Sequence, residues 1–377
     1  MCQKDCDPHT NLHRLAGFAA RERNNFNAVR LAAAISVVVS HAFVVVGGQG
    51  ALEPLQAFTG WSLGAHAVHV FFVLSGFMIA ASWERATSWL DFSVARALRI
   101  MPALICVNIL IVLIAGLLIT SAEPTTFWSS ENIGAFLVRA TLLFSVGVTL
   151  DGVFTENPMG SSVNIPIWTI RFEVICYLTI MAFMTVVAAL RLRGLTRLAA
   201  VAPVLAVSGL IVSLAGHPDQ FSFAAQLARF VFAFYLGVAC WIARHYIPVR
   251  APLALFFTAL AAAAAWSEWP LRYPVMIIAA GYLSFWVGSV QMGRLQRWTT
   301  RTDLSYGVYI TGFFIQQWLV YAWPAMSVWQ NALIGTAIAL AVAWLSWTYV
   351  EKPALGLRHM LKVKHEPAPE TGLQPAE

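Results

Sequence analysis

The segment Arg30–Phe43, RLAAAISVVVSHAF, carries two groups that an apolar helix does not need, an arginine at one end and a histidine near the other. They are eleven residues apart. Eleven steps of about 100° come within roughly 20° of three full turns, so a helix sets both on one face, about 16 Å apart along its axis. Ionisable groups inside a membrane are costly and usually line a cavity. Imidazole titrates near neutrality, which suits His41 to proton transfer. A packing histidine with a snorkelling arginine is the structural alternative.

Three further stretches hold groups of this kind. In FSVARALRIMPAL, Arg96 and Arg99 are three apart and share a helix face just before Pro102. Guanidinium forks suit phosphates, although a basic loop pair equally marks the side of a membrane on which it stays. In IPIWTIRFEVICYL, Glu173 lies a turn and a half into an apolar run, at a depth where carboxylates are rare. Arg171 points about 200° away from it on a helix, so Glu173 is expected to meet another helix or water. In HAVHVFFVLSGFMIA, His66 and His69 stand three apart with no third ligand evident, and no metal site is expected. Gly76 in that stretch allows close helix packing. Ser75 lacks the strand-to-helix elbow of a nucleophile and reads as a structural hydroxyl.

The composition says what must position these groups. Of 377 residues, 59% are hydrophobic and 11% charged, against about 25% charged in soluble domains. A net charge of +6 would suggest nucleic acid in a soluble protein. Here the cations fall between apolar runs, the pattern of a positive-inside membrane protein, and no nucleic-acid partner is expected. Five cysteines offer no disulfide framework, and the polar, basic N-terminal stretch shows no removable signal peptide.

The fold class expected is all-α, a polytopic integral membrane bundle of about ten transmembrane helices. The runs lie near 27–47, 63–83, 100–120, 168–190, 198–215, 223–243, 251–268, 273–290, 304–322 and 329–350, each close to the roughly 20 residues that cross a bilayer. Pro102, Pro166, Pro270, Pro274 and Pro353 are expected at or near helix ends. Of the 24 Lys and Arg, only Arg139, Arg171, Arg229 and Arg272 fall opposite the N-terminus, which places both termini in the cytoplasm. Residues 121–167 form a long outer segment. Its apolar stretch FLVRATLLFSVGVTL is short for a crossing, so an interfacial or re-entrant helix is expected there. The chain divides into a cytoplasmic tail (1–25), a transmembrane domain (26–353) and a basic cytoplasmic tail (354–377), its last dozen or so residues disordered.

Taken in order, Arg30-x10-His41, FFVLSGF, Arg96-x-x-Arg99 before MPAL, IWTIRFE, SYGVYI and YVEKP make the chain resemble the acyltransferase-3 family. Its members are bacterial membrane enzymes that mostly O-acylate sugars. The resemblance covers about residues 25–353. It implies an acyl-CoA co-substrate, usually acetyl-CoA, arriving from the cytoplasm. It also implies a sugar, polysaccharide or lipid-linked glycan acceptor, and a place among the lipids of the bacterial inner membrane. By position, His41 matches the family's essential histidine and Arg30 its paired arginine. Arg96 and Arg99 match the RxxR motif, and Glu351 and Pro353 the closing E-x-P. Glu173 matches the glutamate of W-S-x-x-x-E, with Thr169 in the serine's place.

One departure stands in YITGFFIQQ. Gly312 and Phe314 replace the histidine and proline of the family's Y-L-x-H-x-P, leaving Gln316 or Gln317 to supply polar contacts. On this reading Arg30, Arg96 and Arg99 hold coenzyme A phosphates, and the pantetheine arm follows the Arg30–His41 face. His41 then acts as general base or acyl carrier, and Glu173 orients the imidazole or the acceptor. Asp151, Glu156 and Trp168 help to select the acceptor. The rival readings are a transporter or polysaccharide flippase, for which ten spans with mid-depth polar groups would serve, and an acyltransferase for a small molecule such as a macrolide or lipid.

Overall fold

The computed structural model describes residues 14–142, 149–215, 222–267 and 269–363. These residues form helices joined by short connections, with no strand among them. In chain order the helices are α1 (Phe26–Gly47), α2 (Pro54–Thr59), α3 (Leu63–Arg85), α4 (Trp89–Ile114), α5 (Pro124–Trp128), α6 (Glu131–Thr141), α7 (Ile170–Ala189), α8 (Arg197–Leu214), α9 (Phe223–Ile242), α10 (Ala251–Ala265), α11 (Arg272–Ser289), α12 (Arg294–Arg301), α13 (Ser305–Ala322), α14 (Val328–Ser346) and α15 (Lys352–Val363). A π-helical turn, Trp347–Glu351, joins α14 to α15.

Local chemistry sets several starts. The Ser62 hydroxyl accepts from the Ala65 amide at α3, and Ser88 accepts from Asp91 at α4. Ser327 and Gln330 make a reciprocal capping box at α14, each cap satisfying an amide that the helix cannot. Pro102 departs from expectation, because it lies inside α4 rather than at its start. The amphipathic stretch WLDFSVARALRI extends the helix ahead of the apolar run, so Arg96 and Arg99 ride on the same rod as the span.

Each of the ten apolar runs is a helix, and seven are long and apolar enough to cross a membrane. The other three fall short for different reasons. α10 has 15 residues, and α11 bends by 111° into α12. α13 has 18 residues, but its two glutamines, three tyrosines, serine and threonine leave it too little apolar, and it is enclosed by protein along most of its length. A helix shielded from lipid can carry polar side chains, and α13 uses them. Gln316 Nε2 donates to the Val38 carbonyl at 2.8 Å, and Gln317 Nε2 donates to the carbonyls of Gly160 and Ser162. The two glutamines therefore brace backbone in neighbouring segments.

Around α13 pack α1, α4 and α14, while α3 packs against α1 and α9. Gly76 of α3 and Gly237 of α9 let those backbones touch. A Cβ on Gly76 would lie 1.9 Å from the Phe234 carbonyl oxygen, and one on Gly237 would lie 2.0 Å from that of Val73. Gly312 serves the α1–α13 contact in the same way, since a Cβ there would come within 2.6 Å of Val38 Cγ2. This closeness is why the chain has no room for a histidine at that position.

The long segment before α7 holds α6, whose eleven residues span about 16 Å and cannot cross. Residues 143–148 of the same apolar stretch, and the C-terminal residues expected to be disordered, lie outside the described residues. Both tails are structured in part. Leu15 is fully buried, its amide donating to the Ile247 carbonyl. α15 carries Arg358 onto Asp91 of α4, with nitrogen–oxygen distances of 3.1 and 3.2 Å.

Candidate active site

Four charged groups meet near the end of the bundle where α1 begins. Asp303, in the turn before α13, takes Arg30 of α1 at 2.8 Å and Arg99 of α4 at 2.7 Å on one carboxylate oxygen. Arg99 reaches on to Glu351 at 2.8 Å, and the Ser346 hydroxyl donates to that carboxylate. The other Asp303 oxygen accepts from the amide and hydroxyl of Ser305 at the start of α13, where the helix dipole also favours an anion. Burial works to raise the Asp303 carboxyl, but the two guanidiniums and Ser305 outweigh it and hold it well below the usual carboxylate range. The cluster is two cations against two anions, neutral as a unit, and it ties α1, α4, α13 and the π turn together.

Arg96 is different. Its nearest ring is Phe92, 5.9 Å from the guanidinium carbon. It has no ion-pair or hydrogen-bond partner among the described residues, and its buried Nε is unsatisfied. Of the three arginines assigned to phosphate, Arg96 alone keeps its charge free, while Arg30 and Arg99 spend theirs on Asp303 and Glu351.

These residues line a basal cavity of about 440 Å³, into which Arg30, Arg85, Arg96, Arg99, Asp303 and Glu173 all face. Above it lies a narrow throat of about 40 Å³ that shares Arg30, Ser75, Glu173 and Tyr306 with the basal cavity. The throat also shares Val68, Thr169 and Tyr309 with a distal chamber of about 210 Å³. The common walls set the three spaces end to end along α1, with Arg30 at the lower junction and His41 in the distal chamber. The eleven-residue spacing thus sets the two residues in the walls of adjoining spaces.

In the distal chamber the His41 ring stands edge-on to Phe313, with centroids 5.4 Å apart, and has no hydrogen-bond partner among the described residues. Its imidazole nitrogens are therefore free for a ligand. Glu173 is not beside it. The carboxylate accepts from Ser75 at 3.4 Å and from Tyr177, and it lines the throat and basal cavity only. Ser75 is seven residues along α3 from Val68, so Glu173 sits roughly 10 Å deeper than the chamber wall. Direct orientation of the imidazole by Glu173 has no geometric support. One donor to Glu173, Ser75 of α3, comes from another helix, as the spacing predicts, but the closer one is Tyr177, a turn further along α7 itself. Arg171 turns to the rings of Phe172 and Phe223.

Trp168 lines the distal chamber, whereas Asp151 is bound to Ser130 and Asn132 at the start of α6 and Glu156 is exposed. His66 donates to or accepts from Thr59, and His69 packs against Trp61. Among the described residues, no three His, Cys, Asp or Glu side chains gather as a metal site would need.

Two residues of weight escape the motifs. Asp303 is the sole carboxylate between Glu268 and Glu351 and sits in a loop otherwise rich in arginine, a signal that was there to read. Arg229 reads as an outer-side charge by sequence but is buried in the chamber wall.

Fold and site together define a multi-helix membrane protein in which a cationic cavity, a narrow space and a chamber lined by an unbonded imidazole adjoin one another. The chain belongs to the acyltransferase-3 family, whose model, described as an acyltransferase domain, matches residues 23–349. It is similar to an O-acetyl transferase of Shigella phage Sf6, at 28% identity over 352 residues, covering 87% of this chain and 95% of that protein. It is also similar to nodulation protein 10 of Rhizobium leguminosarum bv. viciae, at 27% identity over 382 residues with 90% and 95% covered. Acyltransferase MdmB of Streptomyces mycarofaciens matches at 28% over 186 residues, 48% of this chain and 43% of its own. No solved structure matches the chain at comparable significance.

Proposed function

We propose that this protein is an O-acetyltransferase of the bacterial inner membrane. It takes the acetyl group of cytoplasmic acetyl-CoA and passes it to a hydroxyl of a cell-surface sugar, polysaccharide or lipid-linked precursor. The supporting observation is the row of three spaces joining the arginines to His41. In the proposed topology the chain crosses ten times with both termini inside, so the basal cavity opens to the cytoplasm. Arg96, with Arg85 in the wall of the same cavity, holds coenzyme A phosphates through charge-assisted hydrogen bonds. The uncharged pantetheine arm passes the throat in this reading and carries the thioester to the chamber.

There His41 removes the acceptor hydroxyl's proton as its oxygen attacks the thioester carbonyl. The carbon–sulfur bond breaks, and the imidazolium returns the proton to the departing thiolate. The acceptor is left as an acetyl ester and coenzyme A as a thiol. Glu173, set between Ser75 and Tyr177, shapes the throat.

Two variants test the path. Arg96→Ala is expected to weaken coenzyme A binding roughly ten- to a hundredfold, the loss of one charge-assisted contact of about 1.5–3 kcal/mol. Calorimetry with purified protein in detergent reads this, and unchanged affinity contradicts the phosphate role. Ser75→Phe is expected to fill the throat and stop transfer while coenzyme A still binds within about threefold. Full transfer by that variant would mean the acyl group takes another route. The activity itself is tested by following labelled acetyl from acetyl-CoA on the purified protein. A transporter would leave the thioester intact.

A further inference from the structure

Arg229 of α9 is 8% exposed, with its guanidinium carbon 4.5 Å from the Phe230 ring centroid and 5.8–5.9 Å from those of Trp168 and Trp61. It lines the distal chamber with His41, yet it has no ion pair or hydrogen bond among the described residues, and its Nε is buried and unsatisfied. The buried arginines of the basal cluster show the contrast, since Arg30 and Arg99 each have a carboxylate within 2.8 Å. Glu53 also lines the chamber, but its carboxylate takes the Leu63 amide at the start of α3. A buried cation without a counter-charge is costly, and its planar fork matches a carboxylate or phosphate.

We infer that Arg229 makes the distal chamber a site for an acceptor bearing a negatively charged oxygen, a carboxylate or a phosphate, near the hydroxyl that receives the acyl group. This rests on the acyltransferase reading. The donor does not supply the anion, because its phosphates stay in the basal cavity and the arm that passes the throat is neutral. An oxyanion on the thioester carbonyl exists only in passing, whereas a fixed anion on the acceptor offsets the charge for as long as it is bound. The Trp61 and Trp168 rings that hold the guanidinium also offer apolar faces to the rest of the acceptor.

The test uses the purified full chain in detergent and reads thermal stabilisation by glucuronate, glucose 1-phosphate and glucose as probes. Glucuronate or glucose 1-phosphate, or both, should stabilise the protein where glucose does not, and which of the two acts distinguishes carboxylate from phosphate. Arg229→Gln should need at least tenfold more of the effective probe, Arg229→Lys should fall between, and Arg250→Gln, an exposed arginine that lines none of the three spaces, should respond as the parent does. Stabilisation by neither anion up to about 50 mM, equal stabilisation by glucose, or a response that survives Arg229→Gln overturns the inference. So does a loss confined to acetyl-CoA turnover, which would assign Arg229 to the oxyanion. Acetyl-CoA binding in the same preparation tests the donor reading separately, and its absence would leave the anion result standing.

Discussion

Replacing His41 by glutamine is expected to lower acetyl transfer by about 10²–10⁴-fold, the usual contribution of a positioned general base. The protein should still fold and insert. Glutamine keeps approximate size and hydrogen-bonding capacity but cannot exchange a proton near neutral pH. The imidazole's one ring contact is the edge of Phe313, and no described group bonds to its nitrogens, so the exchange breaks no hydrogen bond. Glu173→Gln should be milder, because Glu173 lies at the throat and an amide oxygen still accepts from Ser75 and Tyr177. Transfer by both variants, measured at matched membrane abundance, separates a catalytic histidine from a packing one. Wild-type rates from His41→Gln would make it a packing residue.

Asp303→Asn is expected to destabilise the protein by about 3–5 kcal/mol, the penalty for removing one partner of a buried ion pair. Asp303 is the common anion of Arg30 and Arg99, and Arg30 has no other carboxylate within ion-pair distance among the described residues. Removing Arg30's charge as well, in Asp303→Asn with Arg30→Gln, should recover part of the loss because no isolated cation then remains. Thermal melting in detergent reads both variants. Melting of Asp303→Asn at the wild-type temperature would show that the cluster does not hold α1, α4 and α13 together. The folded Asp303 pKa lies below its unfolded value. Its contribution is therefore complete above about pH 4 and disappears as pH falls through the lower, folded value.

The Arg30–His41 relation was legible because helix period is local, and α1 needed no knowledge of its neighbours to set both residues on one face. Gly76 was legible for a similar reason, since a glycine in an apolar helix leaves few uses besides close packing. What two helices do to one another was not legible. The ion pairs of Arg99 join residues 204 and 252 positions apart, and no spacing rule reaches that far. Counting Glu173 inward from the end of its helix suggested the depth of His41, but the depth of that helix end is set by packing of Ile165–Thr169 against α13. α13 reads as weakly apolar because its neighbours, rather than lipid, surround it.

The most direct measurement of the central claim uses sealed membrane vesicles of both orientations, supplied with acetyl-CoA labelled in the acetyl group. Label should reach membrane or luminal acceptors when acetyl-CoA meets the cytoplasmic face, and His41→Gln should abolish this transfer. Label transferred equally from either face, or transferred by His41→Gln at the wild-type rate, would contradict it.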